Sequence, residues 1–444
     1  MNITELAQKL FSPFQDRTAG NAVAVLWNGE VVYQHTAGWA QAEKKIPVVP
    51  TTRFCIGSIT KTMTAIHVMQ LVEAGKIQLD DPVKLHLKSI QIHEPYLNNP
   101  IRVRHLLTHT SGLGYFRSWK DLLLPAGALG TLGVTPGLKD YYQKGLTPIC
   151  APMTRWAYSN HAFALLGQLV EDVTGKPFEH TFTAQVLRTA GMQTATLQRP
   201  QERAMPYLRQ RKAFKPAPDL DIIVKPAGSV YASLEDMLAY ARSLLTFSPA
   251  LLGRDSFAEM YRRQYQAHAE LTGMGLGFVL ENIAGEEVYF HTGGWIGYNS
   301  ALFVCPGKGA AVIMMSNSEA HDILALPGRF IREALAGTPE SESSTPIAVD
   351  TLKFAHSYAE PAYGLEKVIS LLGQPGGIRL VAREGQLFFR TLTGPWRKGV
   401  LLKPRGGQLF EIDDPHQPVL CRLDIAEQKV VAIDMGLSRL VGRF

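Results

Sequence analysis

The chain has 444 residues, 46% apolar and 19% charged, a globular composition long enough for more than one domain. Its formal charge of +6 is not gathered into a dense Lys/Arg run, which argues only weakly for an anionic partner and against nucleic acid. No stretch of about twenty apolar residues suggests a membrane span, and four scattered cysteines (Cys55, Cys150, Cys305, Cys421) fit neither a zinc site, a redox pair nor a disulfide scaffold.

Residues 2–11 read as a short amphipathic helix. The basic region and apolar run of a secretory signal are lacking, so a cytoplasmic protein is expected, or a periplasmic one if a signal was removed. A hairpin follows: Ala22 to Trp27, the turn Asn28-Gly29, then Glu30 to Tyr33. Ser58 then opens a long helix whose apolar positions Ile59, Met63, Ile66, Met69 and Val72 keep helical spacing, and Gly75 ends it. The middle is mostly helical. Ile101 to Leu107 leads into Thr108-His109-Thr110-Ser111-Gly112, and residues 113–148 are Gly-, Leu- and Pro-rich without period, as lids and binding loops are. One helix follows Tyr158-Ser159-Asn160 and runs to Gly175. Another starts near Ser233, whose spacing to Asp236 resembles a capping box.

Strands then return. Gly275–Glu281 pairs with Val288–His291, and Ser300–Cys305 with Ala310–Ser316, before a helix from about Asp322 to Leu335. Strands at both ends of a helical middle predict an antiparallel sheet whose two halves meet in space. The domain reading is 1–336, a polar Pro-containing linker at 337–346, and 347–444. That last part reads as short strands with Gly/Pro turns: Ile378–Arg383, Gln386–Thr391, Gly399–Lys403, Gln408–Ile412, Val419–Leu423, Lys429–Asp434 and Arg439–Phe444. The spacing predicts a small β-sandwich or barrel.

Ser58-Ile59-Thr60-Lys61 places a hydroxyl and an amine one helical turn apart. At a helix N-terminus the field favours an attacking alkoxide, and a buried lysine of lowered pKa can take its proton. Alone, the pair is more often a capping serine and a solvated lysine. Three stretches bear on it. Tyr158 can relay a proton and Asn160 can donate to a substrate carbonyl and accept from Lys61, although Tyr-x-Asn is also an ordinary turn. His291-Thr292-Gly293-Gly294 at a strand end lets backbone approach a substrate, with the Gly294 and Ser58 N–H groups as an oxyanion hole and Thr292 beside them. His105 and His109 lie four apart with no third ligand of suitable spacing, so they read as structural, capping a helix end, and no metal is expected.

These stretches together resemble the serine β-lactamase and penicillin-binding-protein superfamily, in the branch of class C β-lactamases, D-amino-acid peptidases and related esterases. Phe54-x-x-Gly-Ser58-x-x-Lys61 is similar to its first motif, Tyr158-Ser-Asn160 to its second, and His291-Thr-Gly293 stands where the third usually reads Lys-Thr-Gly. Arg104 to Leu113 and Pro226 to Ser233 also look like this branch. The resemblance implies an α/β (α+β) sandwich, an antiparallel sheet flanked by helices plus a helical subdomain, followed by a small all-β barrel similar to a lipocalin. It implies a serine hydrolase: Ser58 forms an acyl-enzyme with a small ester, amide or peptide, Lys61 and Tyr158 handle its proton, Asn160 positions substrate, and no cofactor is needed. His291 in place of lysine is at most partly charged, so carboxylate recognition and β-lactam hydrolysis should be weak; His291 is an orienter or proton donor. The same acyl-enzyme could serve an acyltransferase or peptide cyclase, and a catalytically silent binder or sensor is a further alternative. The expected partner is a small-molecule or peptide substrate, with homo-oligomerisation left open.

Overall fold

A computed structural model of the chain describes residues 2–115, 129–210, 213–319, 325–335, 352–359, 378–391, 395–414 and 419–443. The expected linker at 337–346, residues 116–128 of the 113–148 stretch and the start of the helix expected from Asp322 lie outside the described residues. The chain divides into two compact units, Met1–Arg262 with Gly275–Ala336, and Arg263–Met274 with Gly337–Phe444.

In the first unit, helix α1 (Ile3–Phe11) starts at a capping box in which Asn2 accepts from the Thr4 N–H and Glu5 accepts from the Asn2 N–H. The hairpin of β1 (Gly20–Trp27) and β2 (Glu30–Gln41) turns on Asn28 (φ 52°) and Gly29 (φ 82°), the two positive-φ positions a tight hairpin requires. β2 continues well past Tyr33. His35, Thr36 and Ala37 are polar or small, yet each has a ladder partner on β1. The main sheet of this unit continues with β3 (Ile46–Pro47), β4 (Val279–Ile283), β5 (Glu286–Trp295), β6 (Tyr298–Cys305) and β7 (Ala310–Ser316). Their order is β4-β5-β6-β7-β1-β2-β3, and every neighbouring pair is antiparallel. The first and last strands in sequence meet through Asn21↔Ser316 to Leu26↔Ala311, so the two halves join in one sheet as expected.

Both faces of this sheet are covered, which is why β1, β6 and β7 read as nearly continuous apolar runs. Successive side chains point to opposite faces. Ala22, Ala24 and Leu26 with Leu302, Val304, Ile313 and Met315 join one core cluster; Val23 and Val25 with Ala301, Phe303, Val312 and Met314 join the other. The first cluster is closed by α2 (Thr60–Glu73), α3 (Asn160–Thr174) and α4 (Leu234–Leu245), the second by α1 and α5 (Leu326–Leu335). α3 is capped by Ser159, whose Oγ accepts from the Ala162 N–H, and stops at Gly175 in the left-handed region (φ 69°). α4 carries the expected Ser233–Asp236 box. α2 is buried on all sides, with Thr60, Lys61, Thr62, Thr64 and His67 inside along with its apolar residues. A helix so placed must satisfy each polar side chain internally, and how Lys61 does so defines the site below.

The second unit holds a nearly closed eight-strand sheet. Arg379–Arg383, Gln386–Arg390, Val400–Gly406, Leu409–Ile412, Val419–Ala426, Lys429–Met435 and Ser438–Arg443 form an antiparallel meander. Ser357–Ala359 pairs with the last of these and bridges to the first through Tyr358 and Ile378. Alternate residues, among them Leu380, Leu387, Phe389, Leu402, Phe410, Leu423 and Ile433, fill its interior. No helix of the described residues is long and apolar enough to cross a membrane.

Candidate active site

Ser58 lies in a 3₁₀ turn, Gly57–Ile59, and the α-helix proper begins at Thr60. The serine therefore sits just before the helix rather than opening it, still at its electropositive end. The turn is held by the Ile56 N–H, which donates to the Val230 carbonyl at 2.9 Å. Gly57 has φ 50°, and a Cβ there would stand 2.8 Å from the Gly294 nitrogen. A positive φ and a touching strand both require glycine at this position.

One turn on, the Lys61 side chain is fully buried. Its Nζ lies 2.7 Å from Asn160 Oδ1, 2.7 Å from the Ala227 carbonyl oxygen and 3.0 Å from Ser58 Oγ. It also stands 4.8 Å from the centre of the Tyr158 ring. Burial without a carboxylate partner holds its pKa well below the usual lysine range. A neutral amine has two N–H donors and one lone pair. The amide oxygen and the carbonyl can only accept, so they take the two donors. The lone pair is left facing the Ser58 hydroxyl.

Tyr158 and Asn160 flank the Ser159 cap of α3 and so enter the site together. Tyr158 is hydrogen-bonded to Ser58, and burial pushes its phenol pKa up despite that bond. Burial thus favours the neutral form of both members of the Lys61–Tyr158 pair, an amine that can accept and a phenol that can donate.

His291, Thr292 and Gly294 sit near the end of β5, paired with Leu302, Ala301 and Asn299 of β6. The strand passes against the serine turn: a Cβ on Gly293 would overlap the Ile56 carbonyl oxygen and the Ser300 hydroxyl, and Ser300 Oγ donates to that same carbonyl at 2.7 Å. The Gly294 amide is thereby brought beside Gly57, next to the serine. His291 Nδ1 is 2.6 Å from the Thr292 carbonyl oxygen. A carbonyl only accepts, so Nδ1 carries the proton and Nε2 keeps its lone pair. Burial, and then the neighbouring Lys61, push the His291 pKa down to about 3. The imidazole is neutral, an acceptor through Nε2 rather than a cation or a proton donor.

The structure thus brings Ser58, Lys61, Tyr158 and Asn160 into direct contact, with the His291 ring 6.3 Å from that of Tyr158. Two participants escape a sequence reading. Ala227 contributes a main-chain oxygen, which no side-chain pattern reports; the signal available was the Pro226-Ala-Gly-Ser stretch itself. His109 closes the end of Val103–Leu107 as expected, left-handed (φ 59°) just after the Thr108 C-cap with the Thr110 N–H donating to the His105 carbonyl at 3.0 Å, but it also does more. Its ring lies against Tyr158, 4.4 Å between centres. His105 caps the other end, its Nδ1 accepting from the Arg102 N–H at the start of Val103–Leu107. Among the described residues no group of three or more His, Cys, Asp or Glu could hold a metal ion.

Neutral histidines buried in the fold make it acid-sensitive. Burial lowers His67 and His105 to about 4, His291 to about 3, and His109 well below the usual value. In the unfolded chain each protonates near pH 6.5. Their contribution is therefore complete above about 6.5 and is lost as pH falls toward 4 and 3, at ~1.4 kcal/mol per pH unit for each histidine. Unfolding at pH 5 should take up roughly four protons from these groups, measurable from the pH dependence of denaturation midpoints. A flat stability between pH 6.5 and 4.5 would mean that they are charged in the fold.

The chain is 29% identical over 368 residues to Esterase EstB of Burkholderia gladioli, covering 72% of this chain and 92% of the esterase. It is 28% identical over 375 residues to a D-aminopeptidase of Gluconobacter oxydans, covering 81% of this chain but only 66% of that protein. In fold it superposes on the octameric penicillin-binding protein homologue from Pyrococcus abyssi with TM-score 0.65, 21% identity, and coverage of 99% of this chain and 100% of the other. The Beta-lactamase family model matches residues 7–336, a span that carries the serine turn, the Tyr158 loop and the His291 strand. The chain belongs to the β-lactamase family of serine hydrolases and esterases.

Proposed function

We propose that Ser58 is the nucleophile of this hydrolase and that it accepts acyl groups from small esters, amides or peptides. The observation that carries this is the Lys61 amine, 3.0 Å from Ser58 Oγ with both its donors engaged elsewhere. As Ser58 Oγ attacks the substrate carbonyl carbon, its proton passes to Lys61 Nζ. The carbonyl oxygen becomes an oxyanion facing the Ser58 and Gly294 N–H groups. The proton returns through the Tyr158 hydroxyl to the leaving oxygen or nitrogen as its bond to carbon breaks. Water then attacks the ester of Ser58, gives its proton to the same relay, and the acid leaves while Ser58 regains its hydrogen. Asn160 holds Lys61 in register through Oδ1 and presents its NH₂ toward substrate.

His291 shapes the choice of substrate. A neutral ring with Nδ1 tied to the Thr292 carbonyl offers an acceptor where the third motif usually places an ammonium group. Substrates without a carboxylate beside the scissile bond should fare best. The esterase and D-aminopeptidase names of two relatives support esters and peptide-like amides as substrates. A fluorophosphonate should add once per chain, at the peptide containing Ser58. In a panel of p-nitrophenyl esters, D- and L-aminoacyl p-nitroanilides and a chromogenic cephalosporin, kcat/KM should be lowest for the cephalosporin. The absence of an adduct at Ser58, where a control esterase reacts, overturns the nucleophile. Preference for the cephalosporin overturns the role given to His291.

A further inference from the structure

Beneath Tyr158 lies His109, a residue that touches neither Ser58 nor Lys61 by hydrogen bond and yet grips the loop that carries the tyrosine. It is almost wholly buried and adopts φ 59°, the left-handed region that a non-glycine residue enters at a cost. Three contacts converge on the same short segment. The His109 carbonyl accepts from the Ala157 N–H at 2.8 Å, and its Nδ1 accepts from the Ser159 N–H at 3.1 Å. Its ring lies 4.4 Å from the Tyr158 ring at a tilt of 34°. The residues on both sides of Tyr158 are thus pinned by one histidine, and the phenol itself is backed by its imidazole. Trp156 and Phe163, with ring centres 5.8 and 5.1 Å away, close the rest of the ring's surface.

The left-handed backbone is what lets one residue do both. It is the left-handed exit of the Val103–Leu107 helix, and it turns both the carbonyl and the side chain of His109 toward the same stretch. A neutral ring is also required. With Nδ1 accepting from Ser159, the proton sits on Nε2, and that atom has no hydrogen-bond partner among the described residues. Leaving a buried donor unpaired costs stability.

We propose that His109 is the positioning residue of the proton relay: it fixes the height and tilt of the Tyr158 phenol over Ser58. The inference rests on Tyr158 serving the Ser58 proton, and its test separates the two. His109→Asn keeps a side-chain acceptor and tolerates the left-handed backbone but removes the ring. His109→Phe keeps a ring against Tyr158 but leaves the Ser159 N–H without its acceptor. Each should lower kcat/KM for a p-nitrophenyl ester by about 10- to 100-fold, the range expected for misplacing a catalytic group by about an ångström. The loss should fall on kcat and on the rate of fluorophosphonate labelling, with KM little changed. Combined with Tyr158→Phe, neither should lower the rate further, because a group that acts through Tyr158 has nothing left to position.

If the His109 and Tyr158 losses multiply, or if both His109 variants turn over at the native rate, the proposal is overturned while the Tyr158 reading stands. If Tyr158→Phe alone is fully active, the relay reading itself fails and the proposal with it. Thermal melting of each variant separates a general loss of fold from the specific loss, since a loss through unfolding lowers active-site titre and leaves kcat per labelled site intact.

Discussion

Ser58→Ala and Lys61→Met are each expected to lower kcat/KM by about 10³- to 10⁴-fold or more, and the double variant to be no worse than either alone. The reason is the shared bond. Lys61 Nζ and Ser58 Oγ are 3.0 Å apart and act as one unit, so removing either removes the attacking group or its base. Lys61→Arg should be as inactive as Lys61→Met. A guanidinium cannot deprotonate in a protein, so it cannot accept the serine proton however well it fills the space. An active Lys61→Arg enzyme would exclude Lys61 as the base and transfer that role to Tyr158.

The same assignment sets the sign of the pH profile. The base is the neutral amine, and burial holds the Lys61 pKa below its usual range. In kcat/KM, which reports the free enzyme, activity should be full above that lowered value and should fall as pH drops through it. His291, held to about 3 by burial and by Lys61, stays neutral across this limb. The limb should accordingly persist in His291→Gln and vanish with Lys61. Fluorophosphonate labelling rates, which need no turnover, provide the measurement. A labelling rate with no acid limb down to the pH at which the fold is lost would show that Lys61 does not titrate on Ser58 activation.

Much of this site could be read from the chain because catalysis demands residue types at fixed offsets. Ser58 and Lys61 share a helical turn; Tyr158 and Asn160 bracket a cap; and His291-Thr-Gly-Gly is short enough to stand out. The sheet was legible for a related reason, since turns such as Asn28-Gly29 and unbroken apolar runs leave few alternatives. What stayed hidden depends on main-chain atoms or on contacts remote in sequence. Ala227 acts through its carbonyl. His109 acts through a left-handed backbone that histidine rarely adopts, and a sequence does not display φ. β2 runs past Tyr33 to Gln41 because β1 supplies partners as far as Gly38 and β3 from Trp39 on. The closing bridge of the barrel-like sheet joins Ile378, at the start of an expected strand, to Tyr358 in a three-residue strand too short to show a period.

Gly293→Ala is expected to damage both fold and activity through a single methyl group. The new Cβ would overlap the Ile56 carbonyl oxygen and the Ser300 hydroxyl, which are themselves bonded at 2.7 Å. Neither can yield easily. Ile56 is fixed on its other side by its N–H to Val230, and Ser300 is held in the middle of the sheet between β5 and β7. β5 must therefore move away from the serine turn, at a cost of ~1–3 kcal/mol or more for overpacking a rigid contact. That movement withdraws the Gly294 amide from Gly57, which it now approaches closely enough that a Cβ there would stand 2.8 Å from its nitrogen. With one oxyanion donor displaced, kcat should fall by about 10²- to 10³-fold. The stability loss and the rate loss have different partners, and Ser300→Ala tells them apart. It empties half of the space the methyl needs, so Gly293→Ala/Ser300→Ala should regain part of the melting temperature. The Ile56 overlap remains, the strand stays displaced, and kcat should stay low. If kcat returns to the native value together with stability, the Gly294 amide does not hold the oxyanion, and that role passes to another donor.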